Sequence, residues 1–176
     1  LPIRALQLQR YAGGYRRLSE PDSLSPRHRG WDGGAHLELG VDRAGSTLLL
    51  ASLRERQLAV GDRAQRLSLG LRHEGEGWTG ALTYSWAKAK SSPSWAVLAD
   101  VRLSLGDQLR VGLFADYFRA RDWQARLYAA HPRVRYEYTS TLLFGEGFDV
   151  GMRLRWQPSS AYTLEAKLLH QHQRIE

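Results

Sequence analysis

Trp95-Ala96-Val97-Leu98-Ala99-Asp100-Val101-Arg102-Leu103-Ser104-Leu105 is the stretch whose reading decides the fold. Trp95, Val97, Ala99, Val101, Leu103 and Leu105 take every second position, while Asp100, Arg102 and Ser104 fall between them. This is the two-residue period of a β-strand, whose successive side chains point to opposite faces, and not the 3.6-residue period of a helix. The run covers about 11 positions, close to the roughly 9 to 11 that a tilted strand needs to cross a bilayer.

The alternation extends in both directions. Upstream, Ala35, Leu37, Leu39 and Val41 oppose His36, Glu38, Gly40 and Asp42; Leu67, Leu69 and Leu71 oppose Arg66, Ser68, Gly70 and Arg72; Trp78, Leu82, Tyr84 and Trp86 oppose Thr79, Ala81, Thr83 and Ser85. Downstream, Leu109, Val111, Leu113, Ala115 and Tyr117 oppose Arg110, Gly112 and Asp116, followed by Trp123, Ala125 and Leu127. Phe148, Val150, Met152, Leu154 and Trp156 then oppose Asp149, Arg153 and Arg155, and Tyr162, Leu164, Ala166 and Leu168 oppose Glu165 and Lys167.

Short turn signals punctuate these segments: Gly61-Asp62, Gly75-Glu76-Gly77, Ser91-Ser92-Pro93, Gly106-Asp107 and Pro158-Ser159-Ser160. Strands joined so closely pair as antiparallel hairpins. The expectation is an all-β chain, an antiparallel up-and-down transmembrane β-barrel of about 8 to 10 strands, occupying residues 1–176 as a single domain. Gly13 to Gly34 reads as a long loop after a first strand at Ile3 to Arg10. Pro132 to Gly147 reads as a second loop or a further short strand.

Composition narrows the alternatives. A chain of 176 residues fits one domain. Lys plus Arg is 25 against 18 acidic residues, giving +7; only Lys88, Lys90 and Lys167 are lysines, so 22 of the cations are arginine. Such charge suits a nucleic-acid binder, an anionic surface, or an interior braced by guanidinium groups. The absence of cysteine removes disulfides, a thiolate nucleophile and sulfur-based zinc sites. No window of 18 apolar residues exists, which excludes a transmembrane helix; a transmembrane strand leaves mean hydropathy low, here −0.45. The opening Leu1-Pro2-Ile3 is expected of a processed chain or a fragment.

Alternation alone fits two opposite objects, a soluble lipocalin-like barrel with its apolar residues inward or a membrane barrel with them facing lipid. The apolar rows are long for soluble strands, whose usual length is about 5 to 6 residues. Aromatics sit near row ends, as a headgroup girdle does, and Tyr117 and Tyr162 lie among them. Trp78, Trp86, Trp95, Val97, Val101, Leu103, Trp123 and Trp156 are therefore assigned to the lipid face or its girdle. The opposite face carries both signs of charge. Glu38, Arg72, Asp100, Arg102, Arg110, Asp116, Arg126, Asp149, Arg153, Arg155 and Glu165 are expected to meet across a narrow lumen and plug it.

The stretch from Ser94 through Leu169 resembles the C-terminal outer-membrane β-barrel region of Bacteroidetes-type helix-hairpin-helix domain outer-membrane proteins. The motifs are Ala99-Asp100-Val101-Arg102, Phe114-Ala115-Asp116, Arg126-Leu127-Tyr128 and Phe144-Gly145-Glu146-Gly147, with Ser19-Glu20 and Arg29-Gly30 upstream. The resemblance implies an outer-membrane barrel. This chain departs from it at Ala129, Ala130, His131 and Phe148, and the helical DNA-binding repeats are absent from these residues, so their activity is not carried over.

Catalytic patterns are missing. No Gly-x-Ser-x-Gly elbow is present, and Gly145-Glu146-Gly147 lacks the strand-to-helix setting of a phosphate loop. His170 and His172 share a strand face without a third ligand placed beside them. The expected protein is a non-enzymatic structural or accessory subunit of a larger secretion, assembly or transport complex in the outer membrane of a Gram-negative bacterium. It is expected to need no cofactor, metal or small-molecule substrate. Membrane lipid and an outer-membrane protein are the expected partners, the latter contacted through Arg29, Trp31, Tyr136, Tyr138 and Phe144 in the two loops, because Tyr, Trp and Arg dominate binding hot spots. The competing classes are a soluble lipocalin-like barrel and a basic nucleic-acid-binding or DNA-uptake protein. The latter would use Arg10, Arg16, Arg17, Arg27 and Arg29 with Tyr11, Tyr15 and Trp31 interleaved.

Overall fold

The computed structural model describes residues 3–15, 28–42, 46–57, 63–89, 92–129 and 141–175. The chain begins as a meander of seven strands: β1 (Ile3–Tyr15), β2 (His28–Gly40), β3 (Thr47–Gln57), β4 (Arg63–Gly75), β5 (Trp78–Lys88), β6 (Ser94–Leu105) and β7 (Leu109–Ala120). It then leaves the sheet through a 3-10 turn at Trp123–Ala125 and a small hairpin of β8 (Leu127–Ala129) and β9 (Thr141–Leu143). It returns as β10 (Gly145–Ser159), which pairs with β7, and ends with β11 (Tyr162–Arg174). The result is one antiparallel sheet of nine strands in chain order, with the two-stranded hairpin beside it.

The two ends of this sheet differ. At one end three of the four connections are two or three residues long, and the β2–β3 connection takes six. Glu76 and Gly77 join β4 to β5, with Gly77 at φ 73°, and Gly106 at φ 68° opens the turn into β7. Both positions use the left-handed region that glycine enters without a Cβ penalty. At the β2–β3 turn Thr47 donates its hydroxyl to Asp42 Oδ2 over 2.9 Å. The other end carries connections of five residues or more, including the long excursion that holds the hairpin. We refer to these as the turn end and the loop end.

Nine is an odd number, and this has a geometric consequence. β1 and β11 form the two edges and both run from the turn end to the loop end. Each would therefore meet the other in parallel. The closed barrel expected from the sequence is, among the described residues, an open sheet.

Two expected loops are shorter than the sequence suggests. β1 continues to Tyr15 and β2 begins at His28, so Gly13, Gly14, Gly33 and Gly34 are strand residues, paired as Gly13↔Gly30, Gly14↔Arg29, Arg10↔Gly33 and Gln9↔Gly34. Glycine clusters read as turns, but backbone pairing with a neighbour outweighs that local preference. Likewise Thr141–Leu143 and Gly145–Gly147 are strand. β3 escapes the alternation because Leu48 and Leu50 lie on the face opposite Leu49 and Leu53, which makes its first half apolar on both sides.

Candidate functional site

Register divides the strand residues between two faces. On one, which we term the bare face, Leu69, Leu71, Leu82, Val97, Val101, Leu113, Val150, Met152, Leu164 and Leu168 are all exposed. Among the described residues, 23 large hydrophobics are exposed, while nine hydrophobics are buried and five of those are alanines. A domain folded by apolar burial in water has the reverse distribution.

Aromatics bracket this face. Toward the loop end, Trp86 pairs with Trp95, the Trp95 and Tyr117 ring centroids lie 5.5 Å apart, Tyr117 pairs with Phe148, and Phe148 stacks on His172 at 5.5 Å. Toward the turn end stand Trp78, against which His73 packs at 4.8 Å, then Trp156 and Tyr162. Trp78 and Trp86 are eight residues apart on β5, as are Phe148 and Trp156 on β10. Of the residues assigned to this face from sequence, Trp78, Trp86, Trp95, Val97, Val101, Leu103 and Trp156 are there. Trp123 is not. It sits on the 3-10 turn, edge-on to Phe144 at 5.3 Å and under the Arg126 guanidinium at 4.6 Å. The Trp123, Ala125, Leu127 alternation is too short to hold a full strand and folds away from the sheet.

The opposite, covered face receives the hairpin. Leu127, Ala129 and Leu143 join Ala125 of the 3-10 turn, Ala87 of β5, Ala96 of β6 and Phe118 of β7 in one buried cluster. Small residues on the sheet, Ala87, Ala96 and Ala120, leave the room that the hairpin occupies. Ser94, Asp116 and Asp149 are buried on this face as well, the two carboxylates as direct cross-strand neighbours.

Several charged residues expected to meet across a lumen have nearer partners. The contacts of Arg72, Arg102, Glu38 and Glu165 run along single strands or between neighbouring strands. Arg72 pairs with Glu74 at 2.6 Å, Arg102 with Asp100 at 3.2 Å, and Glu38 with His36 at 3.2 Å rather than with an arginine. Glu165 receives Arg153 Nη2 at 2.9 Å and lies 3.6 Å from Arg155 Nε. Gln171 donates to Asp149 over 3.2 Å. Arg110 is exposed beside Arg155 at the turn end. Arg126 donates to the Trp123 carbonyl and the Tyr128 hydroxyl, and Arg66 donates to the Arg126 carbonyl, tying the hairpin to β4. Residues two apart on a strand share a face and lie about 7 Å apart, so long side chains reach along the strand before they reach across a cavity.

Of the expected partner-loop residues, Arg29 and Trp31 lie on β2, opposite Gly14 and Ala12, and Phe144 lies between β9 and β10. Tyr136 and Tyr138 are outside the described residues. Sequence reasoning missed Phe114 and Phe118, which interrupt the polar face, and a loop-end cluster in which Glu146 Oε2 lies 3.4 Å from Arg119 and 3.5 Å from Arg121. Glu146 was hidden inside a Gly-x-Gly read as loop.

Chemically, the covered face offers a cavity of about 290 Å³ lined in part by the Ser68, Thr83 and Ser85 hydroxyls, the Asp100 and Asp116 carboxylates and Tyr128. Among the described residues no group of three His, Asp or Glu side chains converges to hold a metal ion. No protein-family model matches this chain, and no curated protein or solved structure does either.

Proposed function

We propose that this chain is a wall of an outer-membrane β-barrel, with its bare face in lipid, serving as a non-enzymatic structural or accessory element of a larger outer-membrane assembly. The observation that carries the reading is the bare face itself, apolar from β3 to β11 and bounded by aromatics at both ends. Eight residues of strand are about 27 Å, or about 21 Å of height at a tilt of roughly 40°. That is close to the apolar band of about 25 Å that barrels of this class present between their aromatic girdles. Tight turns at one end and longer connections at the other are the asymmetry such barrels have. A lipocalin-like soluble barrel would place its apolar row on the covered face, the inverse of the arrangement here.

Since β1 and β11 run the same way, closure into an all-antiparallel barrel takes an odd number of strands beyond these nine. The hairpin on the covered face fills space that a pore would need, which favours a structural role over conduction. The test is folding of the purified chain. It should need detergent or vesicles to fold and migrate differently on a gel before and after boiling. A chain that is folded and monomeric in plain buffer would overturn the reading.

A further inference from the structure

Two residues beyond the loop-end aromatic row, and on the same face, the strands carry charge: Lys88 after Trp86, Arg119 after Tyr117, Glu146 before Phe148 and Arg174 after His172. The same step beyond the turn-end aromatics gives Glu76, Pro158 and Ser160. Among the described residues, the bare face is therefore basic above one aromatic row and lacks cations beyond the other.

Three of these positions, Arg119, Glu146 and Arg174, are brought together by the register. Glu146 lies opposite Arg119 on one side and Arg174 on the other, in direct register. Its Oε2 is 3.4 Å from Arg119 Nε and 3.5 Å from Arg121 Nη2, and the Tyr117 hydroxyl donates to Oε1 over 3.5 Å. One carboxylate thus pairs with two guanidinium groups, Arg119 of β7 and Arg121 just beyond it, and stands in register with Arg174 of β11. Arg121 and Arg174 line a cavity of about 370 Å³ together with Glu146, Tyr117, Phe148 and His172, and Arg119 stands behind Glu146, outside the lining. Tyr117 and Phe148 of this lining belong to the exposed apolar face.

We infer that this cavity holds the phosphate of an anionic lipid headgroup, with the acyl chains running down the bare face below Phe148. Guanidinium groups match phosphate oxygens with paired N–H donors, and the cluster stands at the height where headgroups lie above an aromatic girdle. A soluble anion would use the same donors but would gain nothing from the apolar wall beneath them. The inference rests on the membrane reading above, and the two fail separately.

The experiment folds the full chain into phosphatidylcholine vesicles and measures, with spin-labelled lipids, the association of phosphatidylglycerol relative to phosphatidylcholine. Heat-modifiable migration is scored on the same sample. Wild type should prefer phosphatidylglycerol. Arg121→Gln and Arg174→Gln should each lower the preference by up to about fivefold, the scale of one cation near an anionic surface. Arg110→Gln at the turn end should leave it unchanged. Arg121→Lys is the control for folding, and it should keep most of the preference. Insertion with no preference, or a preference equally lost in Arg110→Gln, overturns the headgroup site while leaving the membrane reading intact. Displacement of the labelled lipid by millimolar inorganic phosphate makes it a soluble-anion site and likewise overturns the proposal. Failure of wild type to insert overturns the membrane reading and this site with it.

Discussion

Phe114 lies across Gly151 on the covered face, so closely that a Cβ at Gly151 would stand 2.5 Å from Phe114 Cζ and 2.5 Å from the Leu168 carbonyl oxygen. The ring occupies the side-chain place that glycine leaves vacant, and it is buried there, with the Lys167 ammonium 5.7 Å from its centroid. Three adjacent strands, β7, β10 and β11, are thereby fastened through one aromatic. Gly151→Ala should destabilise the folded state by about 1 to 3 kcal/mol, the usual cost of forcing a methyl group into a filled space. Urea unfolding in detergent would read this. Phe114→Leu in the same background should recover only part of the loss, because the Leu168 carbonyl remains in the way.

The two faces of β6 separate lipid contact from ion pairing. Val101→Arg puts a cation on the bare face at mid-strand and should cost roughly 2 to 4 kcal/mol of folding into vesicles. Arg102→Val removes the partner of Asp100, but Arg102 is 60% exposed, and the loss should stay under about 1 kcal/mol. Equal effects of the two substitutions would mean that the bare face does not meet lipid.

Ion pairs on the covered face should differ in strength according to burial. Glu165 is 14% exposed and lies within reach of both Arg153 and Arg155, whereas Arg72 and Glu74 are each about half exposed. Glu165→Gln should therefore cost about 1 to 3 kcal/mol, and Glu74→Gln less than about 1. A double-mutant cycle on Arg153 and Glu165 would isolate the pair. A coupling no larger than that of Arg72 with Glu74 would show that burial does not strengthen it.

The period of two assigns the bare face of β6 and β7, because Trp95 to Leu105 and Leu109 to Tyr117 keep an apolar side chain at every second position, but it misplaces Trp123. It could not assign partners. Alternation places Glu38, Asp100 and Arg102 on one face but is silent on whether they reach along the strand or across a cavity, and side-chain reach decided for the former. Phe114 and Phe118 broke the polar face because a hairpin lies on it, and that hairpin is built from three-residue strands too short to give a period. Its docking is recorded only indirectly, in the small residues Ala87, Ala96 and Ala120. The Glu146 cluster was illegible because its arginines come from β7, the segment after it, and β11, segments joined only by the register of the sheet.

Docking of the hairpin is held by four side chains of modest size, which makes it separable from the sheet. Leu143 is wholly buried, and Leu127 nearly so. Leu143→Ala should cost about 2 to 5 kcal/mol locally. Since the nine strands pair with one another without the hairpin, the sheet should survive its release. Limited proteolysis should then cut the segment between Arg121 and Gly145 in Leu143→Ala well before wild type, with heat-modifiable migration retained. Loss of migration together with protection would show instead that the hairpin nucleates the sheet.

The edges supply the last test. β1 and β11 point the same way, so if they pair directly they do so in parallel, with slanted bonds and without the alternating close pairs of an antiparallel ladder. The proposed barrel puts an odd number of strands between them, each adding about 4.8 Å. The chain has no cysteine, which allows a clean scan: one cysteine at Leu168 on β11, and a second moved through Leu6, Leu8 and Ala12 on β1. A disulfide forms only where Cα atoms approach to roughly 4.4 to 6.8 Å. With even one strand intervening, the separation exceeds that range, and no position on β1 should link to Leu168 in the folded, vesicle-inserted protein. An intramolecular disulfide in high yield at any register would mean that the nine strands close on themselves with a parallel seam, and the requirement for further strands would fall.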